Sequence, residues 1–82
     1  MTHELKIWPI PFRAVLNGSK RYEVRKADRD FKLGDTFTLK EYLPDTEQFT
    51  GREFMGRITY ITEAETWGLP EDICIFGFEE IK

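Results

Sequence analysis

Between Pro9 and Gly18 the chain carries a helical stripe only about two turns long, and that brevity constrains everything around it. Phe12, Val15 and Leu16 fall at i, i+3 and i+4, so they share one face. Pro11 suits a first helical turn, where its missing N–H would have had no partner. Asn17-Gly18 closes the segment, because glycine takes the left-handed conformation at a helix end without penalty. A helix this short is marginal alone, so it must lie against a sheet.

The remaining periodicity is that of strands. Glu4 to Trp8 alternates Leu5 and Ile7 against Glu4, Lys6 and Trp8, and Pro9 ends it. After Gly18-Ser19, period two predicts Tyr22 and Val24 on the core face, with Arg21, Glu23 and Arg25 on a charged outer face. Lys26 to Asp30 reads as a polar loop, and Gly34-Asp35 as a turn after Phe31 and Leu33. Thr36 to Leu43 is a strand with Phe37, Leu39 and Leu43 inward and Thr38, Lys40 and Tyr42 opposite. Pro44 to Gly51 reads as a hairpin loop. Arg52 to Thr62 is a long strand with Phe54, Ile58 and Tyr60 on one face and a bulge or bend at Gly56. Glu63 to Asp72 reads as a loop around Trp67-Gly68-Leu69-Pro70. Ile73 to Ile81 is a last strand whose first half is apolar on both faces, as in a barrel or beneath a helix. These elements predict a mainly β (α+β) fold: a small barrel of about five strands with one short helix after the first.

Residues 1–82 are expected to form a single domain, since a second core could not be assembled from what the first leaves over. Seven Phe, three Tyr and two Trp supply core bulk in a chain that is 33% charged. The one cysteine, Cys74, excludes an intrachain disulfide and reads as buried and inert. Neither a Cys/His cluster for a metal nor a cofactor fingerprint is visible, so no metal and no cofactor are implied. The N-terminus lacks the order of a signal peptide, and the longest apolar run, Ile73 to Phe76, is too short for a bilayer. A soluble cytoplasmic protein with no membrane partner is the expectation, and the oligomeric state stays open.

Charge is unevenly divided. Residues 1–34 hold eight Lys and Arg against four acids, and residues 35–82 hold four against eleven. Such polarity can attract an anionic ligand to one side of an acidic protein, although two solvated faces would read the same way.

The chemistry-bearing stretch is Gly18-x-Lys20-x-x-Glu23-x-Arg25. Placed on a strand just after a short helix, it resembles the signature of the ASCH domains, small relatives of the PUA-like barrels. Phe31-Lys32-Leu33-Gly34-Asp35 before a strand is similar to the next step of that family. The likeness covers nearly the whole chain and is nearest to a bacterial and phage subgroup of unknown function, DUF3850-like, which also begins His-Glu-Leu-Lys. It implies a PUA-like β-barrel that binds RNA or a nucleotide-like ligand.

In that reading Lys20, Glu23 and Arg25 contact the ligand. Arg25 offers a planar fork for phosphate or a base edge, and Glu23 can accept from an exocyclic amine. Lys20 joins them only if Gly18-Ser19 bends the start of the strand. Arg29, with Lys26, would contact phosphate. The stacking candidates are Trp67 and Trp8, then Phe12 and Tyr42. The plain alternative is a surface ion-pair ladder worth about 0 to 1 kcal/mol per pair.

Two further readings compete. Some ASCH-like proteins are amidohydrolases that act on acylated cytidine with a lysine, a threonine and a glutamate. Lys20 and Glu23 would then be the catalytic pair. The threonine position holds Glu23, and neither Glu63 nor Glu65 carries a motif for the later glutamate. A protein-interaction module that uses the acidic half is the last reading. His3 is expected to be an exposed terminal side chain.

Overall fold

The structure, a computed structural model, describes residues 2–81. Its elements are β1 (Thr2–Ile7), α1 (Pro9–Leu16), β2 (Tyr22–Lys26), β3 (Thr36–Leu43), β4 (Gln48–Thr62) and β5 (Ile73–Glu80). The five strands form one sheet in the order β1-β3-β4-β5-β2. β1 runs parallel to β3 and the other neighbours are antiparallel. The fold is the expected mainly β one, a curled half-barrel with a single short helix after the first strand. Among the described residues no helix is long and apolar enough to cross a membrane.

The curl follows from β4. Its residues up to Arg57 pair with β3, and those from Gly56 onward pair with β5, so one long strand serves both halves of the sheet. Gly56, expected to be a bulge or bend, is instead a point of close approach. A Cβ there would lie 2.5 Å from Cζ of Phe37, a fully buried ring. The β4–β5 register shift falls between Ile58 and Tyr60. One inserted residue exchanges the faces of all that follow. Ile58 is therefore core, Tyr60 is exposed and Ile61 packs against the core, against the expectation that Tyr60 shares the face of Ile58.

A second shift lies between Lys40 and Tyr42 on β3. Phe37 and Leu39 are buried as expected, but the next buried side chain is Glu41 rather than Leu43. Thr50 donates its hydroxyl to Glu41 Oε1 at 2.8 Å, so the buried carboxylate has a partner. β4 also begins earlier than expected, at Gln48 after a turn over residues 44–47. The side chains of its first residues are exposed, so no alternation marks them as strand.

The interior is an aromatic chain. His3, Phe31, Phe76, Phe37, Phe78 and Phe54 follow one another with ring centroids 4.7 to 5.6 Å apart. Helix α1 lays Phe12 and Val15 on this core, while Leu16 stays half exposed. Burying each such ring contributes about 2 to 3 kcal/mol, so these few side chains dominate the stability of a thin core.

His3 departs from expectation. It shares a face with Leu5 and Ile7, is only 4% exposed, and its Nε2 lies 2.8 Å from Oδ2 of buried Asp35. That hydrogen bond holds the Asp35 carboxyl below the usual carboxylate range. Burial opposes the shift, and the Lys32 amide adds to it.

Candidate functional site

The sheet order leaves β1 and β2 as its two edges, although they are consecutive strands. Helix α1 carries the chain from one edge to the other, and at its end the backbone turns sharply. Gly18 takes φ +83°, and the Asn17 side-chain oxygen accepts from both N–H and hydroxyl of Ser19 at 2.9 and 2.6 Å. This bend places Lys20 just ahead of β2 with its side chain doubled back onto the strand. Its ammonium donates to the Tyr22 carbonyl at 2.6 Å and to Glu23 Oε1, and lies 4.9 Å from the centre of the Tyr22 ring.

β2 presents the face opposite to the expected one. Tyr22 and Val24 are about half exposed, whereas Glu23 is 4% exposed and stands opposite Phe76. The cause is the strand's position. The inner face of an edge strand looks onto the open seam of the half-barrel, where the β1 edge offers the Lys6 carbonyl beside the apolar side chain of Ile7. Inward-pointing charge is one way in which proteins protect such an edge. Arg25 reaches into the seam with Nε and Nη2 2.9 and 2.8 Å from Glu23 Oε2. Nη2 also donates to the Lys6 carbonyl on β1 at 2.8 Å. Both oxygens of Glu23 are thus held by cations, and Nη1 of Arg25 has no protein acceptor among the described residues.

Above this group lies a cleft of about 380 Å³, walled by Trp8, Pro11, Tyr22 and Val24 and floored by Lys20, Glu23 and Arg25. Trp8 is 61% exposed. The arrangement joins a half-exposed indole, a phenol ring and a guanidinium with spare donors. A flat, partly anionic molecule would meet both stacking and charge-assisted hydrogen bonds there.

The other sequence candidates separate. Arg29 sends Nη1 toward the Glu4 carbonyl at 3.5 Å, on the same edge as Lys6, but lines a neighbouring cleft with Asp28, Asp30, Glu63 and Cys74. Trp67 sits on the β4–β5 loop, is 93% exposed and is not among the residues lining the Trp8 cleft. Phe12 is fully buried, and Tyr42 packs edge-on against Phe49 with the Lys6 ammonium 4.5 Å from its centre. Neither Glu63 nor Glu65 lines the cleft that holds Lys20. Cys74 is buried as expected, and burial pushes its thiol up, with the charges of Glu63 and Asp28 adding to the shift. Among the described residues no group of three metal-ligating side chains converges.

Sequence reasoning missed Tyr22 as a wall of the cleft, because period two had assigned it to the core. Only the neighbour of β2 could have corrected this. The buried His3 was within reach, since it has the parity of Leu5 and Ile7.

Residues 2–78 match a family described as "Domain of unknown function (DUF3850)", a span that runs from β1 almost to the end of β5. This chain belongs to the DUF3850 family. The Lys20, Glu23 and Arg25 seam and its cleft lie wholly inside the matched span. Over 65 residues this DUF3850 chain is 43% identical to an "Uncharacterized 12.9 kDa protein in GpA 3'region" of Escherichia phage P2, covering 79% of the present chain. The chain spans 58% of that relative's length.

Proposed function

We propose that this DUF3850 domain is a binding module for RNA or a nucleotide-like ligand, seated in the cleft between β1 and β2. The observation that carries the reading is the state of Arg25. Glu23 and the Lys6 carbonyl hold its guanidinium in place, yet Nη1 keeps both donors free beside an exposed indole. Fixed donors next to a stacking surface recur where proteins read unpaired bases. Glu23 then acts by positioning Lys20 and Arg25, since both of its oxygens are already engaged. The likeness of Gly18 to Arg25 to the ASCH signature, with a curled five-stranded sheet, supports a PUA-like barrel and the same ligand class.

The test is a titration with short single-stranded RNA at low and moderate salt, followed by tryptophan fluorescence. Saturable quenching that weakens with salt is expected, because phosphate contacts release counterions. No signal from RNA at either salt, together with none from a panel of nucleosides, would remove the reading.

A further inference from the structure

We infer that the β1–β2 cleft is built for one phosphorylated nucleotide rather than for a continuous strand; this rests on the reading above and narrows its ligand. The first observation is a step in charge along the seam. In the cleft, Lys20 and Arg25 stand against the single carboxylate of Glu23. Immediately beyond Arg25, across its cross-strand partner Cys74, the neighbouring cleft sets Arg29 against Asp28, Asp30 and Glu63, with Lys32 3.3 Å from Asp30 and Arg29 3.8 Å from Asp28. A second phosphate placed there would face three carboxylates against two cations that already pair with them. Toward the other end, Lys20 and Arg21 meet Glu79 and Glu80 in a third cleft. Neither direction continues the positive groove by which single-strand binders follow a backbone.

The second observation is size. At about 380 Å³ the cleft lies near the lower end of the roughly 300 to 1,000 Å³ range of small-molecule sites. Trp8 and Tyr22 offer aromatic surface for one base, while Lys20 and the free Nη1 of Arg25 offer donors for one anionic group. Among the described residues, none in that wall repeats the aromatic surface for a second base. The geometry thus selects a nucleoside monophosphate, with the base against Trp8 and the phosphate toward Arg25 and Lys20.

Calorimetric titration of the whole chain at one ionic strength, with cytidine, cytidine monophosphate and a short terminally phosphorylated oligocytidylate as probes, tests this. The monophosphate is expected to bind at least about tenfold more tightly than the nucleoside, the effect of added charge-assisted hydrogen bonds. The oligonucleotide should gain less than about tenfold over the monophosphate. In the double variant Asp28→Asn, Asp30→Asn the oligonucleotide should gain affinity, while the monophosphate keeps its own. Equal binding of nucleoside and monophosphate overturns the inference. So does an oligonucleotide more than about tenfold tighter than the monophosphate in the unaltered protein, or one that ignores the double variant. In those cases the binding reading survives. Failure of all three probes removes that reading, and the inference with it.

Discussion

Arg25 donates through Nη2 to the main-chain carbonyl of Lys6 at 2.8 Å, which links the two free edges of the sheet by a side chain instead of a ladder. Glu23 holds that guanidinium from below, and Lys20 completes the group from the far side of the Gly18 bend. The motif therefore serves the seam and the cleft together, and mutation must separate the two roles.

Glu23→Gln leaves two cations over a buried, uncharged amide. Removing one member of a buried pair costs roughly 3 to 5 kcal/mol, and the lower end applies here because Lys20 and Arg25 each keep about a fifth of their side-chain surface exposed. Urea denaturation should show the midpoint fall with little change in slope. An unchanged midpoint would mean that the pair is dispensable to the seam.

Replacing the whole group at once should behave differently. Lys20→Met, Glu23→Leu, Arg25→Met removes the charges and their desolvation cost together, so stability should stay within about 2 kcal/mol of the parent. Binding of the nucleotide probes should vanish. A folded triple variant that still binds would place the ligand elsewhere.

Acid stability should report Asp35. Its carboxyl is lowered in the folded state from an ordinary value of 3.8, chiefly by the His3 hydrogen bond. The stabilisation is therefore fully present above that ordinary value and is lost as pH falls through the lowered one. Urea midpoints measured from about pH 5 down to about pH 1 should decline less steeply for Asp35→Asn than for the parent. Parallel declines would exclude Asp35 as a source of the acid limb.

Gly56→Ala should be costly although the backbone there is ordinary extended strand. The new methyl would meet Phe37 Cζ at 2.5 Å and the Glu79 carbonyl at 3.1 Å. Phe37 is fully buried between the Phe76 and Phe78 rings, so a loss of about 1 to 3 kcal/mol is expected. A thermal midpoint equal to the parent's would show that the core relaxes more easily than its packing indicates.

The two tryptophans divide the fluorescence prediction. Trp8→Leu should abolish ligand-dependent quenching, and Trp67→Leu should retain it, because Trp8 walls the cleft and Trp67 stands on the β4–β5 loop. The reverse result would move the site to that loop.

Local patterns in the chain were enough to locate most elements. Two prolines and Asn17-Gly18 bracket α1, alternation marks β1 and β3, a continuous apolar run marks β5, and the spacing of Lys20, Glu23 and Arg25 singles out the stretch that lines the cleft. Short-range chemistry governs all of these. What the local pattern could not decide is which face of β2 turns inward. Period two relates Glu23 to Arg25 and Tyr22 to Val24, but it does not say which pair faces the core. That choice belongs to the neighbour across the seam, where the Lys6 carbonyl on the edge of β1 accepts from Arg25. The residue inserted in β4 acts in the same way. It exchanges faces part-way along the strand and exposes Tyr60, and only the pairing with β5 reveals it. Tertiary structure alone also brought Trp8 beside Arg25, residues 17 positions apart, and left Trp67 outside.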